Sequence, residues 1–172
     1  MQNLKPILLV EDDSVDAMTV KRIFTEMKVK NQLVHVVDGE EALQYLKNHK
    51  NRKPCVILLD LNMPRMNGLE FLKAVKADEN LKKIPVIVLT TSNAEQDILE
   101  SFSSCIAGYI VKPVDYKSFL EIIRTINLYW TLSELPNEDE NNSEEKARDS
   151  IDDDTFKRTK KDIRSSVYLR NN

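Results

Sequence analysis

Short, nearly continuous apolar runs alternate along this chain with longer stretches in which apolar residues recur at helical spacing. The runs are rich in β-branched residues and bounded by turn residues, which is typical of strands buried on both faces. The predicted strands are residues 7–10, 33–37, 56–59, 86–90 and 108–111. The predicted helices are approximately residues 14–28, 40–50, 69–78, 94–104 and 116–132. This alternation predicts a doubly wound α/β domain with a five-stranded parallel sheet.

Each predicted helix except the fourth, which is less apolar, shows a clear apolar face. In the first helix this face comprises Val15, Met18, Ile23 and Met27. Asp13 or Ser14 is suited to the N-cap of that helix. In the second, third and fifth helices the residues predicted to face inward are Ala42, Leu43, Leu46, Leu69, Leu72, Val75, Phe119, Ile122, Ile123 and Ile126.

Charge divides the 172 residues into a globular part, predicted to be residues 1–133, and a tail, residues 134–172. Residues 134–154 carry a net charge of −8 and residues 155–172 a net charge of +5, which leaves the first 133 residues neutral. The acidic half contains almost no large apolar residues, so we expect it to be disordered. For the basic end, a solvated tail and a short docking helix are both compatible with the sequence. A basic run this short is weak support for nucleic-acid binding.

Cysteine usage and hydropathy limit the setting of the protein. Cys55 and Cys105 lack the spacing of a zinc site or a disulfide framework, which predicts free thiols in a reducing compartment. No stretch approaches the roughly 20 apolar residues that span a bilayer, and no signal-like segment opens the chain. We therefore expect a cytoplasmic protein that makes no use of a membrane.

Charged residues follow three of the predicted strands directly. Glu11 and Asp12 follow the first strand, Asp60 the third and Lys112 the fifth. The carboxyl ends of parallel strands meet at one edge of a sheet, where open α/β folds place their ligand sites. Three clustered carboxylates repel one another unless a cation joins them, and a set of oxygen ligands suits Mg²⁺ or Mn²⁺. The pattern predicts a cation and phosphoryl site with an aspartate nucleophile.

Hydroxyl groups accompany the charged residues at the same edge. Thr90 ends the fourth strand, although Thr91 or Ser92 is an alternative for the hydroxyl that points inward. Tyr109 lies three residues before Lys112, and ordinary core packing is the alternative for this aromatic side chain.

Two details of the sequence bear on the orientation of these side chains. Pro113 restricts the preceding Lys112 to an extended backbone, so we assign Pro113 either a cis peptide bond or a loop-positioning role. In the acidic run, counting from the strand makes Glu11 and Asp12 the ligand pair. Asp13 then begins the first helix as its cap.

In chain order these residues lie in four motifs: Leu9-Val10-Glu11-Asp12-Asp13, Leu59-Asp60-Leu61-Asn62-Met63-Pro64, Thr90-Thr91 and Lys112-Pro113. With these motifs, the chain from about Lys5 to Leu132 resembles the response-regulator receiver domains of two-component signalling. The spacings of thirty residues from Asp60 to Thr90 and twenty-two from Thr90 to Lys112 belong to the match. The resemblance implies a flavodoxin-like (βα)5 fold.

The resemblance also implies roles for the acidic residues. Asp60 would be the phosphoacceptor, taking a phosphoryl group from a phosphohistidine on a sensor histidine kinase or a phosphotransfer protein. Mg²⁺, or Mn²⁺, would be held by Asp12, Asp60 and the backbone carbonyl of Asn62, with Glu11 acting mostly through water. The protein would be a signalling protein rather than an enzyme, limited to its own phosphorylation and dephosphorylation.

For the other residues the resemblance implies a switch. Lys112 would pair with the phosphoryl oxygens, the hydroxyl of Thr90 would move onto them, and Tyr109 would rotate inward behind it. The added charge would bias the surface around the fourth helix and fifth strand.

Three segments resemble more specifically the single-domain regulators found beside phytochrome-type histidine kinases: residues 62–73, 89–92 and 128–130. That resemblance implies a stand-alone regulator, without a DNA-binding domain, that forms a homodimer through its last helix and the region after it. Tyr129 and Trp130 would serve such an interface, and core packing of Trp130 is the alternative.

Other classes of protein fit the sequence less well. A haloacid-dehalogenase-like phosphatase needs a second acid two residues after its nucleophile, where this chain has Asn62. A flavodoxin-like cofactor-binding module would hold a phosphate in the loop after the first strand, but that loop is acidic here. A degenerate receiver that is not phosphorylated would lack a member of the acceptor set, and none is missing.

Overall fold

The computed structural model describes residues 4–132, with side chains described as far as Trp130. The strands are β1 (Ile7–Val10), β2 (Leu33–Val36), β3 (Val56–Leu59), β4 (Val86–Thr90) and β5 (Gly108–Val111). The helices are α1 (Ser14–Glu26), α2 (Gly39–Lys47), α3 (Gly68–Ala77), α4 (Glu95–Ser103) and α5 (Tyr116–Leu132). The predicted alternation is confirmed, and the largest differences are at the ends of α1 and α2, which finish two and three residues early.

The five strands form one parallel sheet in the order β2-β1-β3-β4-β5. This order confirms the predicted doubly wound, flavodoxin-like fold. Val10 pairs with Leu59, so β1 and β3 end side by side. One further bond extends this pairing, because Asp60 N–H donates to the carbonyl of Val10 at 3.0 Å, and on the other side of β1 Glu11 N–H donates to the carbonyl of Val36 in β2, also at 3.0 Å. The acidic residues after β1 and β3 are therefore brought together by the register of the sheet.

Burial explains why the strands have apolar rather than alternating sequences. Every residue of β1, β3 and β4 is buried, whereas β2 and β5 at the sheet edges are mostly half-buried. The inner strands are covered by helices on both faces, so neither side of each strand tolerates polar residues.

The predicted inner face of α1 is wrong in part. Val15 and Met18 are 62% and 59% exposed, and of the four residues predicted to face inward only Ile23 is buried. The residues that α1 buries are Ala17, Val20, Ile23 and Phe24. These residues recur at spacings of three and four, so they form a second apolar stripe beside the predicted one. The small Ala17 side chain belongs to the stripe that packs inward.

The other helices pack largely as predicted. Most of their predicted inward residues are buried, namely Ala42, Leu46, Leu72, Val75, Phe119, Ile123 and Ile126. Leu43, Leu69 and Ile122 are half-buried. Phe71, which is fully buried, was not among the predicted core residues.

Three further predictions concern the tail, the cysteines and the membrane. The tail, residues 134–172, with its acidic and basic halves, lies outside the described residues. Cys55 is buried and Cys105 exposed, and both thiols are free. Within residues 4–132, no helix is both long and apolar enough to cross a bilayer.

Candidate functional site

The ends of β1 and β3 bring three carboxylates together. One oxygen each from Glu11, Asp12 and Asp60 lies within 4.8 Å of the others. Glu11 and Asp60 are only 2% and 6% exposed, whereas Asp12 is exposed. Carboxylates this close repel one another unless a cation lies among them, and hard divalent cations prefer oxygen ligands. The donor set thus fits a small divalent cation that enters from the Asp12 side.

The two carboxylate oxygens of Asp60 have different surroundings. Its Oδ1 accepts a hydrogen bond from the backbone N–H of Leu61 at 2.8 Å. Its Oδ2 lies 3.9 Å from Nζ of Lys112, too far for a hydrogen bond. Behind Asp60, Gly68 lets the start of α3 pass closely, because a Cβ there would lie 2.3 Å from the Asp60 carbonyl oxygen.

Lys112 follows β5, and its side chain is only 6% exposed. Its ammonium donates to Oε2 of Glu11 at 2.5 Å and to Oδ2 of Asp16 at 2.7 Å. Burial alone lowers the pKa of Lys112, but these hydrogen bonds and the carboxylate charges outweigh burial and raise the pKa above its ordinary value. The lysine is therefore charged at neutral pH.

Glu11 uses both carboxylate oxygens within the protein. Oε1 accepts from the backbone N–H of Asp13 at 3.1 Å, and Oε2 accepts from Lys112. Burial raises the pKa of Glu11 to about 7, and the nearby Asp60 adds to this rise, while Lys112 opposes it.

Asp13 is the N-cap of α1, as predicted. Its Oδ1 accepts from the backbone N–H groups of Val15 and Asp16 at 2.8 and 3.0 Å. These bonds lower the pKa of Asp13. The Asp13 side chain is thereby committed to the helix, and Glu11 and Asp12 form the acidic pair of the site.

The predicted switch residues meet at the loop after β4. Thr90 is fully buried, whereas Thr91 is exposed. Oγ1 of Thr90 accepts from the backbone N–H of Ser92 at 3.3 Å. The hydroxyl of half-buried Tyr109 donates to the carbonyl of the same Ser92 at 3.0 Å, and burial raises the pKa of Tyr109. Thr90 and Tyr109 are thus linked through one loop residue.

An open cleft of about 380 Å³ adjoins the acidic cluster. Its lining residues are Asp12, Leu61, Asn62, Met63, Pro64, Asn67, Leu69 and Asp97. Asp12 and Asn62, two of the predicted metal ligands, therefore face the same space. Leu61, which directly follows Asp60, also lines the cleft, so the cleft lies next to the phosphoacceptor predicted from the sequence.

Pro113 is half-buried, and the described residues contain no cis peptide bond. The Lys112–Pro113 peptide is trans in this structure rather than cis. The loop-positioning role stays a prediction.

The sequence predictions missed several residues around the site. Asp16 contacts Lys112 from the first turn of α1, which starts directly after the acidic pair, and this adjacency was the available signal. Asp97 accepts a hydrogen bond from the Ser92 hydroxyl at 2.6 Å and also lines the cleft. Asp38 and Arg65 form an ion pair between two loops, and nothing in their local sequence signals it.

The chain is similar to known proteins over most of the described region. A family model described as the response regulator receiver domain matches residues 7–124. The response regulator Rcp1 of Synechocystis sp. (strain ATCC 27184 / PCC 6803 / Kazusa) is 34% identical over 130 residues, covering 73% of this chain and 88% of Rcp1. The crystal structure of the Mn²⁺-bound form of Rcp1 superposes with a TM-score of 0.73 at 33% identity, covering 77% of this chain and 99% of that chain.

Two further proteins show the same likeness. The phosphorylated cyanobacterial phytochrome response regulator RcpA has a TM-score of 0.73 at 37% identity, with 78% of this chain and 99% of that chain covered. The probable methanogenesis regulatory protein FilR2 of Methanothrix harundinacea (strain 6Ac) is 35% identical over 127 residues, covering 72% of this chain and 82% of FilR2. The predicted resemblance to receiver domains, and among them to phytochrome-associated regulators, is confirmed. The chain belongs to the response regulator receiver domain family.

Proposed function

We propose that this response regulator of two-component signalling accepts a phosphoryl group on Asp60 from the phosphohistidine of a sensor histidine kinase or a phosphotransfer protein. The observation that carries the proposal is the setting of Asp60. Its carboxylate is nearly buried beside those of Glu11 and Asp12, with one oxygen held by a backbone N–H and the other 3.9 Å from the charged Lys112.

The transfer itself needs little covalent help from other residues. Oδ2 of Asp60 forms a bond to phosphorus while the bond from phosphorus to the donor nitrogen breaks, and the electron pair stays on the donor imidazole. Positioning and neutralisation of charge supply most of the catalysis in such transfers. The Lys112 ammonium would pair with the phosphoryl oxygens that then occupy the space beside Oδ2.

The proposed cation is Mg²⁺ or Mn²⁺. Asp12, Asp60 and the backbone carbonyl of Asn62 would hold it, and Glu11 would act mostly through water. The acidic cluster supports this assignment, and the Rcp1 crystal structure is described as Mn²⁺-bound. When bound, the cation supplies positive charge that offsets the phosphoryl oxygens.

Thr90 and Tyr109 are the proposed switch residues. The Thr90 hydroxyl would leave its contact with Ser92 for the phosphoryl group, and Tyr109 would turn inward in response. Their shared contacts with Ser92 support a coupled movement. Through Ser92, which also bonds Asp97 near the start of α4, such a movement would reach the surface of α4 and β5.

The proposed partner is a phytochrome-type histidine kinase, because RcpA is named as a phytochrome response regulator. The homodimer through the last helix is also proposed. Leu128 and Tyr129 are 56% and 60% exposed, and the rings of Tyr129 and Trp130 meet edge to face at 5.1 Å. A non-enzymatic role, a cytoplasmic location and a stand-alone chain without a DNA-binding domain stay predictions.

The first experiment is phosphorylation by acetyl phosphate with and without Mg²⁺, followed by intact mass. We expect one phosphoryl group, Mg²⁺-dependent and acid-labile, on the wild-type protein and none on Asp60→Asn. Asn keeps the shape of the side chain, so an unchanged thermal unfolding midpoint would show that the variant folds. Retention of the label on Asp60→Asn would place the acceptor elsewhere.

A further inference from the structure

Lys112 is held by a carboxylate that lies outside the acidic pair. Asp16, in the first turn of α1, accepts a hydrogen bond from Nζ at 2.7 Å, and its side chain is 34% exposed. Glu11 accepts the other direct bond at 2.5 Å. Of the three carboxylates around this ammonium, Asp60 alone has no direct hydrogen bond to it.

The partners of Lys112 decide whether the carboxylate of Asp60 stays free to act as a nucleophile. An ammonium has three N–H donors, and the contacts to Glu11 and Asp16 use two of them. Attraction between unlike charges rises as their separation falls, so a lysine with fewer competing partners would move toward Asp60. A direct ion pair would then occupy Oδ2, the oxygen that must attack phosphorus. The present separation of 3.9 Å leaves Oδ2 free of that contact.

The placement of Asp16 follows from the start of α1. The Asp13 cap fixes the backbone N–H groups of Val15 and Asp16, so the first turn is held immediately beside the end of β1. An acid in a first helical turn is also favoured by the helix dipole, which alone would explain an Asp at this position. The dipole does not account for the direct bond to a nearly buried lysine from β5.

We propose that Asp16 is a positioning residue that keeps Lys112 at a distance from Asp60, so that the nucleophile stays free and the ammonium stays ready for the phosphoryl oxygens. This inference rests on the proposed phosphorylation of Asp60. Asp16 forms and breaks no bond in the transfer and acts only through Lys112.

The test compares Asp16→Asn with Asp13→Asn. Both variants remove one negative charge at the start of α1, and Asn caps a helix as well as Asp does. Only the first takes the negative charge from a side chain that directly accepts a hydrogen bond from Lys112. The readouts are the rate of Mg²⁺-dependent labelling by acetyl phosphate, followed by intact mass, and the affinity for beryllium fluoride with Mg²⁺ as a phosphoryl mimic.

We expect Asp16→Asn to slow labelling and to weaken beryllium fluoride binding, each on the order of tenfold. This is the lower end of the loss that follows removal of a residue that orients a metal ligand. Asp13→Asn should change both by about twofold or less, since exposed charges are screened. Equal effects of the two variants, or faster labelling of Asp16→Asn, would overturn the proposal.

A double-mutant cycle with Lys112→Met tests whether Asp16 acts through Lys112. In the Lys112→Met background, Asp16→Asn should cause no further loss in labelling rate, which is measurable over hours by mass. A loss as large as in the wild-type background would show that Asp16 does not act through Lys112, which overturns the proposal. Failure of the wild-type protein itself to be labelled would instead overturn the proposed function.

Discussion

Glu11 and Lys112 form a nearly buried ion pair at the centre of the site. Their side chains are 2% and 6% exposed, and Nζ lies 2.5 Å from Oε2. Burial of two charges costs free energy that their mutual attraction only partly returns, so such a pair is weak evidence for stability. The pair is better explained by the chemistry of the site, which requires charge where the fold alone would place apolar groups.

The raised pKa of Glu11 predicts how stability depends on pH in the metal-free protein. The folded state holds the Glu11 proton up to about pH 7, whereas the unfolded chain releases it near the ordinary glutamate pKa of 4.5. Between these values the folded state binds more protons, so the contribution of Glu11 to stability falls as pH rises. In Glu11→Gln this pH-dependent contribution is absent. The free energy of unfolding of the variant, relative to that of wild type, should therefore increase from pH 4.5 to 7.

The measurement is urea unfolding at several pH values in the presence of a chelator. Taking the difference between wild type and Glu11→Gln cancels the opposite pH dependence of residues whose pKa is lowered, such as Asp13 and Asp115. A constant difference across this range would contradict the raised pKa of Glu11.

Single residues of the site were predictable where topology alone fixes them. Glu11, Asp12 and Asp60 follow neighbouring parallel strands, so their proximity follows from strand order and register. Asp16 belongs to a helix, and its contact with Lys112 depends on where the first turn of α1 lies relative to the end of β5, which periodicity does not determine.

At the scale of elements, the loop after β3 is tied to the start of α2. Asp38 is fully buried, and its Oδ1 caps α2 by accepting from the backbone N–H of Glu41 at 2.9 Å. Its Oδ2 pairs with Arg65, which stands in the loop with a φ of 61°. Gly39 N–H also donates to the carbonyl of Met66 at 3.3 Å. These contacts hold the loop that contributes Asn62 to the cleft.

We expect Arg65→Ala to destabilise the protein by about 1–2 kcal/mol, because the buried Asp38 carboxylate loses its cation. This is less than the roughly 3–5 kcal/mol for breaking a fully buried pair, since the Arg65 side chain is 55% exposed. Urea unfolding measures the loss directly. The same loop contains Asn62 of the proposed cation site, so the affinity for Mg²⁺ should also fall.

Two variants separate the charge from the backbone conformation. Arg65→Lys should retain part of the stability by keeping a cation near Asp38. Arg65→Gly relieves the left-handed backbone but still leaves Asp38 unpaired, so it should remain less stable than wild type. Wild-type stability in both Arg65→Ala and Arg65→Gly would show that the ion pair contributes nothing.

The strands were predictable almost to the residue because an inner parallel strand must be apolar on both faces. The buried faces of the helices were harder to predict. In α1 two apolar stripes lie side by side, and the sequence favoured the one containing Val15 and Met18, which the structure leaves exposed. Which stripe packs inward depends on the rotation of the helix against the sheet, and the small Ala17 suits the closer approach.

At the scale of the whole molecule, the sheet places the site at one edge and leaves part of α5 uncovered. The inner side of α5 is anchored in the core by Phe119, Ile123 and Ile126. Near its end, Leu128 is 56% exposed. An exposed apolar residue by itself is ordinary, but Leu128 is followed by Tyr129, which is 60% exposed and whose ring meets that of Trp130.

The proposed self-association through α5 predicts that Leu128→Asp shifts the protein toward the monomer. A charge placed in an apolar interface loses hydration without gaining a partner, so the dissociation constant should rise by tenfold or more, equivalent to about 1.4 kcal/mol. Sedimentation velocity over a range of concentrations, with and without beryllium fluoride and Mg²⁺, measures the change. Leu99→Asp is the matched control, because Leu99 is 58% exposed on a different helix, α4.

A variant ending at Ser133 distinguishes α5 from the charged segment that follows it in the sequence. If α5 forms the interface, the shortened protein should associate as strongly as the full chain and remain sensitive to Leu128→Asp. Loss of association on shortening, with Leu128→Asp silent in the full chain, would move the interface to residues 134–172. Equal sensitivity to Leu128→Asp and Leu99→Asp would instead indicate that α4 contributes as much as α5, which would enlarge the interface beyond the last helix.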